Sequence, residues 1–223
     1  MAEPPHDSRH FPEWTSRSRS SAGNPANLQP GLTKSLRHVR VQAASAAHLL
    51  RRNLLQQVNE TSDGQHPMAI VLSCIDSRTS AELIFDQGLG DIFSVRIAGN
   101  IINEDILGSM EFGCKVAGSK IIVVLGHTKC GAIKGACDNV ELGNLTSLIS
   151  KIKPAVDQET VTSNNRTSSN ANFVENVAEL NVSLSVKNIL LKSPIIAEMV
   201  KNEEITIVGG VQDISSGEVK FFE

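Results

Sequence analysis

Two short apolar runs, at residues 69–73 and 121–125, are bounded by polar residues and rich in β-branched side chains. Their length and composition are those of buried strands. A third strand is predicted at residues 92–96, and helices are predicted between the runs at about residues 80–86 and 104–116. Because strands that alternate with helices form right-handed crossovers, the predicted fold class is α/β. We expect a mostly parallel β-sheet core flanked by α-helices in a single domain.

The rest of the chain continues this alternation of helices and strands. Further helices are predicted at about residues 36–58, from after Cys130 through Ala136, and at about 145–152 and 173–193. The polar segment at 157–172 is predicted to be a loop, and "EITIVGGV" and "EVKFFE" are predicted to be a terminal strand pair. Residues 1–35 are rich in Ser, Arg, Pro and Asn and lack apolar periodicity. We therefore predict a disordered or loosely docked arm at 1–35 and one domain at 36–223.

Composition excludes several classes of partner. A net charge of −3 gives no electrostatic basis for binding nucleic acid, and every apolar run is too short to span a membrane. The four cysteines in 223 residues do not suggest a disulfide framework, which favours a reducing, cytoplasmic location. The Arg/Ser bias of the N-terminus is weak support for organelle targeting, and the acidic residues at positions 3, 7 and 13 argue against it.

Metal-binding side chains follow both apolar runs. "CIDSR" places Cys74 and Asp76 after the first run, and "GHTKCGA" places His127 and Cys130 after the second. In an open parallel sheet, residues at the carboxyl ends of neighbouring strands meet at one edge. Two thiolates, an imidazole and a carboxylate are a suitable tetrahedral shell for zinc. The other two cysteines, at 114 and 137, have no partner motif and are predicted to be ordinary buried residues.

These paired motifs resemble those of the β-class carbonic anhydrases, whose signature is Cys-x-Asp-x-Arg followed by His-x-x-Cys. The likeness extends through "DIFSVRIAGN", "GSMEFG" and the C-terminal strands, from about residue 52 to 223. The family's "GN-x-RF" stretch on an N-terminal helix is absent from this chain. The resemblance implies reversible hydration of carbon dioxide to bicarbonate by one Zn²⁺ per subunit. It also implies a homodimer or homotetramer.

The resemblance further implies a role for each residue of the two motifs. Cys74, His127 and Cys130 would hold zinc, and water or Asp76 would take the fourth position. Arg78 would pair with Asp76 and hold it off the metal, so that Asp76 can accept a hydrogen bond from the attacking hydroxide. The plain alternative for this pair is a surface salt bridge of little energetic value.

Four further residues match substrate-binding positions of the family. Gln65 and the backbone N–H of Gly131 would hydrogen-bond bicarbonate, and Phe93 and Ala98 would line an apolar carbon dioxide pocket, partly from across a dimer interface. Val71 stands where members with a regulatory bicarbonate site carry a tryptophan, which predicts that this chain lacks that site.

Two other functions fit the same zinc ligands. One is the hydrolysis of carbonyl sulfide or carbon disulfide on the same scaffold, and the other is a zinc-binding module without turnover. A purely structural zinc site would not need the Asp76–Arg78 pair. A disulfide oxidoreductase is disfavoured because the chain has no Cys-x-x-Cys pair, and "GLGD" at 88–91 lacks the other residues of a P-loop.

Overall fold

The computed structural model describes residues 53–222, so the predicted arm at 1–35 and most of the helix predicted at 36–58 lie outside the described residues. A five-stranded sheet forms the centre of this part of the chain, with the strand order β2-β1-β3-β4-β5. The strands are β1 (Ala69–Ser73), β2 (Ile92–Arg96), β3 (Ile121–His127), β4 (Thr206–Gln212) and β5 (Val219–Phe222).

The sheet has the predicted topology. β1 pairs in parallel with β2 and with β3, and β3 pairs in parallel with β4. Only β5 is antiparallel, against β4, as expected for a terminal strand pair. Every residue of β1 is buried, because helices cover both faces of the sheet. The prediction of a mostly parallel α/β core is confirmed.

Helices pack on both faces of the sheet. In chain order they are α1 (Leu54–Thr61), α2 (Ala81–Ile84), α3 (Glu104–Glu111), α4 (Gly131–Cys137), α5 (Gly143–Ser150), α6 (Lys153–Gln158), α7 (Ala171–Lys192) and α8 (Pro194–Lys201). A tight 3₁₀ turn at Ala98–Asn100 follows β2. In the part of the chain that the structure describes, no helix combines the length and the apolarity needed to cross a bilayer.

The structure corrects several predicted boundaries. The helix predicted at 104–116 is an α-helix only to Glu111, and its last turn is a π-helix at Phe112–Val116. β3 continues two residues beyond its apolar run, so His127 is the last residue of the strand. The helices α6 and α8 follow the helices predicted at about 145–152 and 173–193 and were not themselves predicted. Pro194 in fact begins α8, where its missing N–H has no intrahelical partner to lose.

Candidate metal centre

Two thiols and an imidazole meet at the carboxyl end of the sheet. The ligand atoms of Cys74, His127 and Cys130 all lie within 4.8 Å of one another, and all three residues are buried. Cys74 directly follows β1, His127 ends the neighbouring β3, and Cys130 immediately precedes α4. Parallel pairing of β1 with β3 brings the two motifs together, as the sequence predicts.

The geometry of the three donors fits a tetrahedral zinc ion. The two sulfurs lie 3.9 Å apart. Two sulfurs that each lie about 2.3 Å from one tetrahedral zinc are separated by about 3.8 Å. His127 Nε2 is buried and has no hydrogen-bond partner among the described residues. Because a buried polar atom without a partner is costly, this nitrogen is a natural metal ligand.

The orientation of the imidazole is set from outside the cluster. His127 Nδ1 lies 2.9 Å from the carbonyl oxygen of Thr128. The carbonyl can only accept, so Nδ1 carries the proton and Nε2 keeps its lone pair for a metal.

The two thiols shift each other's pKa in opposite directions. The hydrogen bond from Cys130 is the main reason that the pKa of Cys74 lies well below the ordinary value for cysteine, and His127 adds to this effect. The same contact with Cys74, together with burial, raises the pKa of Cys130. A divalent cation between the sulfurs would offset their mutual repulsion and allow both to ionise.

Asp76 lies beside the cluster and is held by Arg78. Arg78 Nε donates to Asp76 Oδ1 at 2.8 Å, and Arg78 Nη2 donates to Oδ2 at 2.7 Å. These bonds hold the pKa of Asp76 well below its usual range. Asp76 Oδ2 is still only 3.9 Å from His127 Nε2. A small movement away from Arg78 would therefore bring the carboxylate to a metal bound at the cluster.

The "CIDSR" loop is held in place by Arg96, which the sequence analysis missed. Arg96 Nε donates to the carbonyl oxygen of Cys74 at 3.0 Å, and Arg96 Nη2 donates to that of Asp76 at 2.6 Å. The sequence could have indicated this role, because Arg96 is the last residue of β2 and therefore lies at the same edge of the sheet as Cys74. A basic side chain at that position can reach the backbone of the neighbouring loop.

A cavity of about 470 Å³ opens beside Cys74 and Asp76. Ala98 and Gly131 both line it, and their role in binding substrate stays a prediction. Most of its other lining residues are apolar. Two polar residues that the sequence analysis did not select also line it, namely Lys134 in α4 and Asp138 directly after that helix. A small, uncharged molecule could enter this cavity and lie against the cluster.

Two predicted substrate-binding residues lie away from this cavity within one chain. Phe93 pairs with Ile70 in the sheet register and lines a separate groove of about 570 Å³ with Phe112. Gln65 is exposed and precedes the amino-terminal end of β1, whereas Cys74 follows its carboxyl end. A role for Gln65 or Phe93 at the cluster therefore requires a second copy of the chain, and it stays a prediction.

Comparison with known proteins identifies the family. The family model described as carbonic anhydrase matches residues 69–219, which include both motifs, the strands β1 to β4 and the first residue of β5. The chain belongs to the carbonic anhydrase family. Carbonic anhydrase 2 of Mycobacterium tuberculosis is 34% identical over 159 residues, which cover 69% of this chain and 73% of that protein.

Solved structures place the chain in the β class of that family. The β-carbonic anhydrase CafA of Aspergillus fumigatus is 26% identical and has a TM-score of 0.69, covering 79% of this chain and 85% of that chain. A β-carbonic anhydrase of Sordaria macrospora, described as tetrameric, shares the fold. It is 23% identical with a TM-score of 0.64, and the match covers 75% of this chain and 89% of that chain.

Proposed function

We propose that this β-class carbonic anhydrase hydrates carbon dioxide reversibly to bicarbonate and a proton, with one zinc ion per subunit. The observation that carries the proposal is the buried Cys74–His127–Cys130 cluster beside an apolar cavity that Asp76 also lines. When bound, zinc lowers the pKa of a coordinated water to about 7 and so supplies hydroxide at neutral pH. Relatives that share the family are named carbonic anhydrases, which favours this reaction over the hydrolysis of sulfur analogues.

Residues of the chain would bind the metal, bind the substrate and orient the nucleophile. Cys74, His127 and Cys130 would hold the metal, and the apolar wall of the cavity would bind carbon dioxide without competing for the hydroxide. Asp76, kept ionised by Arg78, would accept a hydrogen bond at Oδ2 and so orient the nucleophile. Gly131 lines the same cavity, where its backbone N–H can bind a bicarbonate oxygen.

Stopped-flow measurement of carbon dioxide hydration tests the proposal. The full chain is loaded with zinc, its metal content is quantified, and rates are compared at about pH 7 and about pH 8.5. We expect hydration that increases with pH, since two thiolates donate charge to the metal and make its water less acidic. The matched variants are Cys130→Ala, which removes a metal ligand, and Cys114→Ala, which removes a buried cysteine from a separate part of the core.

Cys130→Ala should lose both zinc and activity, whereas Cys114→Ala should keep both. A fully zinc-loaded chain without hydration at either pH would contradict the proposal. So would a Cys130→Ala variant with the activity of the native chain.

We also propose that the chain assembles into a homodimer or homotetramer. Phe112 of the groove that contains Phe93 is 50% exposed, and Leu55 of α1 is 78% exposed, so apolar surface is available for a second copy. Sedimentation velocity over a range of protein concentrations measures the assembly. A monomer at all concentrations would contradict the proposed assembly but would leave the proposed hydration reaction unaffected.

A further inference from the structure

The buried face of α7 carries two polar residues among apolar ones. Asn181 and Ser185 are 4% and 5% exposed, and they lie one helical turn apart on the face that also buries Val177, Val182 and Ile189. An amide in such a position is destabilising unless it is hydrogen-bonded. The hydrogen-bond acceptors of these two side chains therefore identify the part of the structure that α7 stabilises.

Both side chains hold the tight turn at Ala98–Asn100. Asn181 Nδ2 donates to the carbonyl oxygen of Gly99 at 2.8 Å, and Ser185 Oγ donates to that of Asn100 at 3.4 Å. Both bonds are buried, and the first is the shorter. It joins a helix near the C-terminus of the chain to a turn directly after β2.

The residue that Asn181 holds also contacts a candidate metal ligand. The backbone N–H of Gly99 donates to Cys74 Sγ at 3.3 Å, and this bond is buried as well. Gly99 thus accepts from Asn181 at its carbonyl and donates to the sulfur at its amide. The carbonyl and the N–H of Gly99 belong to adjacent peptide planes that are joined through the φ and ψ angles of Gly99, so a bond that fixes the carbonyl also restrains the direction of the N–H.

We propose that Asn181 is a positioning residue of the metal centre, which keeps the Gly99 N–H directed at the sulfur of Cys74. This inference rests on the proposed zinc site. The N–H···S bond withdraws part of the sulfur's negative charge and fixes the rotamer in which Cys74 faces His127 and Cys130. Groups that orient metal ligands from outside the coordination shell contribute about 10- to 100-fold to metal affinity.

The substitution Asn181→Leu tests the role, because leucine has nearly the shape of asparagine and cannot donate. The matched control is Asn176→Leu on the same helix, since the Asn176 amide donates instead to Glu159 Oε1, at 3.1 Å. Zinc affinity is measured by competition with a chromophoric chelator. The cobalt-substituted protein is measured in the near ultraviolet, where thiolate-to-cobalt charge transfer absorbs.

We expect Asn181→Leu to weaken zinc binding by about 10- to 100-fold. Its charge-transfer band should move to longer wavelength, because a sulfur that has lost a hydrogen bond gives up an electron more easily. Asn176→Leu should change neither readout, even where it lowers stability. Native zinc affinity and a native cobalt spectrum in folded Asn181→Leu would overturn the inference, as would equal changes in the two variants.

A measurement on the unmodified chain covers the case in which Asn181→Leu does not fold. With ¹¹³Cd bound in place of zinc, the Gly99 amide proton should show scalar coupling to the metal through the hydrogen bond to sulfur. An assigned Gly99 resonance without that coupling would overturn the inference. Hydration is not among these readouts, so a zinc-binding chain without activity would contradict the proposed function alone.

Discussion

Replacing Gly99 by alanine should destabilise the protein for two separable reasons. Gly99 has φ +68°, where a side chain costs about 1–2 kcal/mol. A Cβ at this position would also lie 2.6 Å from Ile152 Cδ1 and 3.2 Å from Ala132 Cβ. Overpacking of this kind costs about 1–3 kcal/mol. We therefore expect Gly99→Ala to lower the free energy of unfolding by about 2–5 kcal/mol.

Two further variants separate the backbone cost from the steric cost. Gly118 has φ +84°, and a Cβ there would meet no atom within 4 Å, so Gly118→Ala should show the backbone cost alone. Ile152→Val removes the Cδ1 atom that an alanine at 99 would strike. By itself it should cost about 0.5–1.5 kcal/mol, but in the Gly99→Ala background it should stabilise.

Urea unfolding measures all of these differences. Zinc and protein concentrations are held fixed and equal for every variant, because bound metal and assembly both shift the apparent stability. If Gly99→Ala destabilises the protein no more than Gly118→Ala, the alanine at position 99 meets no steric clash. If Ile152→Val costs the same in both backgrounds, the predicted contact with Ile152 Cδ1 does not exist.

Three further predictions concern the cluster and the loop behind it. His127→Ala should reduce bound zinc, measured by elemental analysis after dialysis, to a small fraction of the native content; full retention would exclude His127 as a ligand. Arg78→Ala should keep zinc but lower the hydration rate by about 10- to 100-fold, because Asp76 becomes free to approach the metal, and an unchanged rate would contradict this role. Glu159→Gln should destabilise most at pH values above the ordinary glutamate pKa of about 4.3, where the carboxylate that it removes is ionised and accepts a hydrogen bond from Arg166. Burial raises the pKa of Glu159, but hydrogen bonds from Asn176, Thr162 and Arg166 outweigh it and lower the pKa overall. The difference in urea midpoint between the variant and the native chain should therefore shrink as the pH falls through that lowered pKa. A pH-independent difference would refute the assignment.

The sequence predicted the sheet and the meeting of the two motifs for the same physical reason. Buried parallel strands are continuous apolar runs, and their carboxyl ends meet at one edge, so Cys74 and His127 could be placed together without any knowledge of loops. Two strand-like runs close together near residue 223 also predicted the terminal strand pair, which the structure shows to be antiparallel. The predictions that depend only on strand burial and strand order, namely the sheet and the meeting of the two motifs, are confirmed.

The predictions failed where hydrogen bonds decide the structure. The π-helix at Phe112–Val116 has the apolar spacing of an ordinary helix, so periodicity could not reveal it. Asn181 is a polar residue on an apolar face, which signals a buried partner but does not identify it. Its acceptor, Gly99, is distant in sequence, and only the packing of α7 on the turn brings the two together.

The cluster and its neighbouring carboxylate are held in different ways, which separates a rigid part of the site from an adjustable part. The bond that Gly99 donates to Cys74 is buried and the bond that His127 donates to Thr128 is partly buried, so solvent screens them little. Arg78, by contrast, has 53% of its side chain exposed. An exposed ion pair is weakened by salt and by competing anions, whereas buried hydrogen bonds are not. Conditions that leave the Cys74–His127–Cys130 cluster in place can therefore release Asp76. Under the proposed function, the Asp76–Arg78 pair would set the accessibility of a bound zinc ion, and the buried hydrogen bonds would set its retention.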